Sequence, residues 1–180
     1  MSTHKISIPH CPAALANLLR IAPLVPVSLS LTACSRRIAK NHPGLFQRLG
    51  KYGCGRFILN PTDLPIVLCL DPNNGAPRVR ALRKPCQGTV KISGPLAALL
   101  GLVHGAYDGD ALFFSRDLVI EGDTAAALAM RNAIDDAELD ITEEIVAISG
   151  PFAQPFKHIV NIAERRSGVY LTRQEEATEW

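Results

Sequence analysis

The chain has 180 residues, of which 47% are hydrophobic and 20% are charged, and its formal net charge is +2. This length suits one domain with a sizeable core, and the composition excludes an extensively disordered chain. The five cysteines are odd in number and lack a CxxC spacing, which argues against a disulfide framework or a structural zinc site and fits a reducing cytoplasm.

Basic residues are concentrated at the N-terminus. The first 62 residues contain eight Lys and Arg residues and no acid, and the first carboxylate is Asp63. Such asymmetry predicts a surface that meets an anionic partner. Because these residues lie among apolar helical patterns without an aromatic-rich strip, the pattern favours an anionic membrane over nucleic acid. Ordinary solvated charge is the alternative interpretation.

Three helical patterns occupy the first third of the chain. One runs from Pro12 to Pro23, a second covers about 27–40, and a third follows Pro43. Each repeats apolar residues at the spacing of one helix face. We assign residues 1–42 to an N-terminal amphipathic segment and expect it to contact anionic membranes through Leu15, Leu18, Leu19, Arg20, Arg36, Arg37 and Lys40.

The middle of the chain changes to a strand period. Residues 65–70 are apolar on both faces, as in a central strand, and 71–75 read Asp-Pro-Asn-Asn-Gly, a strong turn signal. Residues 78–84 and 88–93 alternate, with Val79 and Ala81 on one side in the first and Val90 and Ile92 on one side in the second. These patterns predict an antiparallel sheet with one partly solvated face.

The second half predicts a helix after Gly94-Pro95, strands at 111–114 and 117–121, and an alanine-rich helix from Thr124 to about Ile134. Small side chains in that helix allow close backbone approach or leave room for a guest. Short helices are predicted at 142–148 and 155–164, and a polar tail follows. We therefore predict an α+β fold, with a main domain over 43–164 and a tail over 165–180.

The block from Gly109 to Thr124, Gly-Asp-Ala-Leu-Phe-Phe-Ser-Arg-Asp-Leu-Val-Ile-Glu-Gly-Asp-Thr, resembles the signature of the sterol carrier protein type 2 family. Within it, residues 113–124, Phe-Phe-Ser-Arg-Asp-Leu-x-Ile-Glu-Gly-Asp-Thr, most resemble a bacterial branch of that family, the accessory factors of oxygen-independent ubiquinone biosynthesis. The resemblance covers about residues 45–136. Read physically, Gly122 permits an unusual backbone geometry at a strand-to-helix turn, and Asp123 can cap the helix that follows.

The resemblance implies a five-stranded mixed sheet covered by helices, with an apolar tunnel between them. It also implies a non-catalytic lipid-binding protein without cofactor or metal, which binds isoprenoid quinone intermediates and phospholipid. Implied partners are an iron–sulfur hydroxylase pair and other ubiquinone-biosynthesis enzymes, with no nucleic acid. Such a protein would be cytoplasmic and peripheral to the inner membrane.

We expect the pocket to be lined by apolar residues of the predicted strands and helices, although plain core is the commoner role of such residues. The predicted lining is Leu68, Leu70, Ile92, Leu96, Leu99, Leu100, Val103, Phe113, Phe114, Leu118, Ile120, Leu128 and Ile134.

Three alternatives to a quinone carrier remain open at this point. One is an interaction module of the biosynthetic complex whose pocket is closed, and another is a general phospholipid or sterol carrier. The third is a hydrolase or transferase acting on acyl lipids through Ser115 or His104. The sequence contains no HExxH, no Gly-x-Ser-x-Gly elbow and no Walker loop, so catalysis is the weakest alternative.

Overall fold

The computed structural model describes residues 13–104 and 118–137. In this part, α1 (Ala13–Ile21), α2 (Leu24–Asn41) and α3 (Pro43–Arg48) precede a 3-10 turn at Gly50–Cys54. Strands β1 (Phe57–Pro61), β2 (Val67–Asp71), β3 (Arg78–Leu82) and β4 (Val90–Gly94) follow, with a second 3-10 turn, Asn73–Gly75, between β2 and β3. Helix α4 (Leu96–His104), strand β5 (Val119–Gly122) and helix α5 (Thr124–Ala137) complete it.

The five strands form one mixed sheet in the order β3-β2-β1-β4-β5, in which β1 and β4 are parallel and all other neighbours are antiparallel. This confirms the α+β fold with a five-stranded mixed sheet. The alternation alone had indicated an antiparallel sheet, and β2 and β3 do pair in this way, but β4 runs parallel to β1, a strand that the pattern did not reveal. That strand, Phe57-Ile-Leu-Asn-Pro, has no period-2 pattern, since both of its faces are covered: Phe57 and Ile58 are 0% and 1% exposed.

The register places one continuous apolar face beneath the helices. Phe57 pairs with Leu70 on one side and with Val90 on the other, while Leu59 pairs with Leu68 and Ile92. Side chains from α3, α4 and α5 pack on this face and form the main core. A smaller cluster on the opposite face contains Ile58, Val67 and Cys69.

Helix α2 covers the open edge of the sheet at β3. The hydroxyl of Thr32 accepts a hydrogen bond from the backbone N–H of Val79 at 3.0 Å and donates to its carbonyl at 2.9 Å. The Ser28 hydroxyl accepts from the N–H of Ala81 at 2.9 Å, and the Arg36 side chain donates to the Pro77 carbonyl at 3.4 Å. Three polar residues spaced four apart thus bond backbone groups that an edge strand would otherwise leave unpaired.

The strand-to-helix turn has the geometry expected from the sequence. Gly122 has φ +93°, a left-handed conformation that favours glycine. The Asp123 carboxylate accepts hydrogen bonds from the N–H groups of Ala125 at 3.0 Å and Ala126 at 3.2 Å, which caps α5. The predicted strand at 111–114, the helices at 142–148 and 155–164, and the tail at 165–180 lie outside the described residues.

Candidate functional site

An apolar cavity of about 110 Å³ lies between α2, α3 and α5 and the sheet. Its walls come from four elements that the sheet holds together: Ser35 and Ile38 of α2, Leu45 and Phe46 of α3 with the adjoining Leu49, Leu70 of β2, and Met130, Ala133 and Ile134 of α5. The packing of α3 against α5 sets its width, and an ion pair between Arg48 and Asp136 joins the same two helices at the surface. Both partners of this pair are about half exposed, so it adds little stability.

The chemistry of the lining is almost entirely apolar. Ser35 is its one polar side chain among the described residues, and its hydroxyl donates to the Leu31 carbonyl at 2.8 Å within α2. No titratable side chain belongs to that lining. The described lining therefore suits an apolar group.

The size of the cavity limits what it can hold in this conformation. A dry apolar cavity of about 150 Å³ binds benzene in another protein, so 110 Å³ accommodates roughly one five-carbon unit. Burying five carbon atoms contributes about 4 kcal/mol at ~0.8 kcal/mol for each CH₂, which corresponds to millimolar affinity before ordering costs.

Two of the residues predicted to line the pocket, Leu70 and Ile134, line this cavity. Others pack within the core: Ile92, Leu99 and Leu118 are 1%, 7% and 6% exposed. The half-buried members are Leu68, Leu96, Leu100 and Ile120, and Leu128 is 52% exposed on α5. Val103 belongs to α4, but its side chain is outside what the structure describes, and Phe113 and Phe114 lie outside the described residues altogether. The predicted lining as a whole remains a prediction.

The sequence reasoning missed most of the observed walls. The helical pattern predicted after Pro43 contains Leu45, Phe46 and Leu49, but these residues were assigned no role in the pocket. Ala133 could have been suspected, because a small residue on the buried face of a helix leaves space that its neighbours do not fill. Periodicity alone could not identify them, since it marks a buried face without telling filled space from empty space.

The residues predicted to contact membranes are distributed over α1 and α2. Arg20, Arg36, Arg37 and Lys40 are exposed and Leu19 is half-buried, while the side chains of Leu15 and Leu18 are not described. Among the described side chains of these helices, the large apolar residues Ile21, Val25 and Leu29 are 86%, 70% and 66% exposed. In the described part of the chain, no helix combines the length and the hydropathy that crossing a bilayer requires.

Comparison of the sequence with models of known protein families identifies the family of this chain. The family model of the SCP-2 sterol transfer family matches residues 36–135, more than half of the chain. The protein belongs to this family. Its matched region includes the sheet, α3, α4 and most of α5, and therefore every described wall of the cavity except Ser35.

Two proteins of ubiquinone synthesis are among those that this chain resembles. The chain is 43% identical over 54 residues to the ubiquinone biosynthesis accessory factor UbiT of Escherichia coli K12, an alignment that spans 30% of this chain and 31% of that protein. The same match occurs in the O157:H7 strain. Among solved structures, the UbiJ-SCP2 ubiquinone synthesis protein aligns with a TM-score of 0.52 at 17% identity, covering 65% of this chain and 96% of that one. At that identity the structural match supports the fold alone.

Proposed function

We propose that this protein is a non-catalytic lipid-binding accessory factor of ubiquinone biosynthesis that binds isoprenoid quinone intermediates. The observation that carries the proposal is the apolar cavity, which accommodates about one isoprene unit. The described residues that line it include no titratable side chain. Membership of the SCP-2 sterol transfer family supports lipid binding. The similarity to E. coli UbiT supports a role in ubiquinone biosynthesis. Oxygen-independent synthesis, an iron–sulfur hydroxylase pair and other pathway enzymes as partners, and phospholipid as a second ligand are parts of the same proposal.

The rest of a polyisoprenoid tail needs more space than this conformation provides. We propose that it follows the lining predicted from the sequence, of which Ile92 and Leu99 are now packed among core side chains. Those residues would meet a ligand only if α4 or α5 moved outward. Residues 43–164 would then act as the lipid-binding domain, and 1–42 and 165–180 as its flanking segments.

We further propose that the protein docks peripherally at the inner membrane from the cytoplasm through α1 and α2. An α-helix turns by about 100° per residue, so Val25, Leu29 and the exposed Arg36 and Lys40 all lie within one sector of α2 that is about 60° wide. An apolar ridge beside basic residues suits the interface of an anionic bilayer, where insertion and charge attraction add. The expected result is salt-sensitive binding to vesicles containing phosphatidylglycerol, which weakens in the variant Val25→Ser/Leu29→Ser. The exposed Ser30→Ala serves as a control.

The ligand is tested on the intact chain purified from its own cells. Native mass spectrometry is expected to detect a bound isoprenoid lipid, and lipid extraction identifies it. A folded protein that carries no lipid and binds neither ubiquinone-1 nor a prenyl alcohol would contradict the proposal and leave the closed interaction module. Binding of phospholipid alone would support the general lipid carrier instead.

A further inference from the structure

A second space, with different chemistry, adjoins the apolar cavity. It is a surface cleft of about 290 Å³ lined by Ala39, Pro43, Phe46, Gln47, Gly50, Asn74 and Gly75. Phe46 belongs to both linings, so the cleft and the cavity adjoin at this residue. Neither space alone reaches the usual size of a small-molecule site, but together they fall within the range of about 300–1,000 Å³.

The polar groups of the cleft are neutral. Gln47 is exposed on α3 and carries an amide that can both donate and accept, and the loop contributes backbone around Asn74 and Gly75. No charged side chain belongs to the lining of the cleft in the described residues. Such a lining suits a neutral ring bearing carbonyl or hydroxyl oxygens better than a phosphate or an ammonium group.

The loop beside the cleft has an unusual backbone. Asn73, Asn74 and Gly75 have φ values of 46°, 49° and 99°, so three successive residues are left-handed. The Asn74 side chain is tied to the neighbouring 3-10 turn, because its amide donates to the Cys54 sulfur at 3.2 Å. Asparagine and glycine are the residues that adopt this conformation most readily, so the sequence of the loop suits the tight turn that borders the cleft.

We propose that this cleft is the head-group site of the lipid, with a neutral quinone or phenol ring in the cleft and the first isoprene unit in the cavity across Phe46. This inference rests on the proposed function and adds the position of the ring. It also explains how a cavity of limited size contributes to a specific complex, since the ring and the first isoprene unit bind at once. Gln47 is the side chain that hydrogen-bonds the ring.

The test compares three probes on the full chain by calorimetry and amide NMR. Ubiquinone-0 has the ring alone, a short prenyl alcohol has the tail alone, and ubiquinone-1 has both. We expect ubiquinone-0 to shift the amide signals of Gly50 and Gly75, and the prenyl alcohol to shift that of Ala133. Gln47→Ala should weaken ubiquinone-1 binding about 3- to 10-fold, the worth of one hydrogen bond, and leave the prenyl alcohol unaffected. Gln87→Ala, an exposed glutamine in the β3–β4 loop, is the matched control.

The outcomes separate this inference from the proposed function. If ubiquinone-1 binds equally well to wild type and Gln47→Ala, or if ubiquinone-0 shifts amides away from the cleft, the head-group site is wrong while lipid binding stands. Displacement of ubiquinone-0 from the cleft amides by inorganic phosphate would overturn the neutral-ring assignment. If none of the three probes binds and the purified protein carries no lipid, the proposed function itself fails. If none binds to a protein that does carry isoprenoid lipid, only the head-group site is wrong.

Discussion

Filling the cavity should change stability and lipid binding in opposite directions. Ala133 lines the cavity and is 1% exposed, so the variant Ala133→Leu places three further carbon atoms in a space of about 110 Å³. At ~0.8 kcal/mol for each buried carbon, the free energy of unfolding should rise by up to about 2 kcal/mol. For a chain of this size, this corresponds to an increase in Tm of roughly 4–8 °C. The same carbon atoms occupy the place of the isoprene unit, so prenyl alcohol binding should weaken at least about tenfold.

Urea denaturation and calorimetric titration of the same preparations measure the two effects. Ala125→Leu is the control, because Ala125 is exposed on the same helix and the change should alter stability by less than about 0.5 kcal/mol. A loss of stability in Ala133→Leu would mean that the site is already filled and the substitution overpacks it. Unchanged prenyl binding in a stabilised Ala133→Leu would refute the assignment of the cavity as the tail site.

Three further predictions concern the framework. Thr32→Val removes both hydrogen bonds to Val79 and should lower the free energy of unfolding, measured by urea denaturation, by about 1–3 kcal/mol. Thr32→Ser keeps a hydroxyl and should retain most of the wild-type stability. Gly122→Ala should lower the free energy of unfolding by more than about 2 kcal/mol in the same assay, because φ is +93° and the added Cβ would lie 2.6 Å from the Thr89 carbonyl oxygen. A variant as stable as the wild type would contradict that geometry. Burial raises the pKa of the Cys69 thiol, so the folded state keeps its proton longer than the unfolded state, and stability should fall as pH rises above about 8.5. Cys69→Ala should flatten this pH dependence, and identical profiles for the two proteins would argue against it.

Local patterns were sufficient for much of the fold. The left-handed turn at Gly122 and the cap at Asp123 follow from the residues that tolerate or satisfy those backbone positions. The strands β3 and β4 were predicted because Val79 and Val90 begin a period-2 alternation. The burial along β3 alternates as expected, whereas in β4 Ser93 is buried as well as Val90 and Ile92. The helices of the first third were found because their apolar spacing is that of one helix face.

What the sequence could not supply depends on residues distant along the chain. The strand β1 has no alternation, because it is covered on both faces, and its parallel pairing with β4 joins Phe57 to Val90, 33 positions later. The polar residues Ser28 and Thr32 look like ordinary positions of an amphipathic helix, and only the docking of α2 on β3 makes them partners of an open sheet edge. The candidate site has the same origin. Apolar spacing marks the buried faces of α3 and α5, but whether these faces touch or leave a space is decided by how both helices lie on the sheet, which no local pattern encodes.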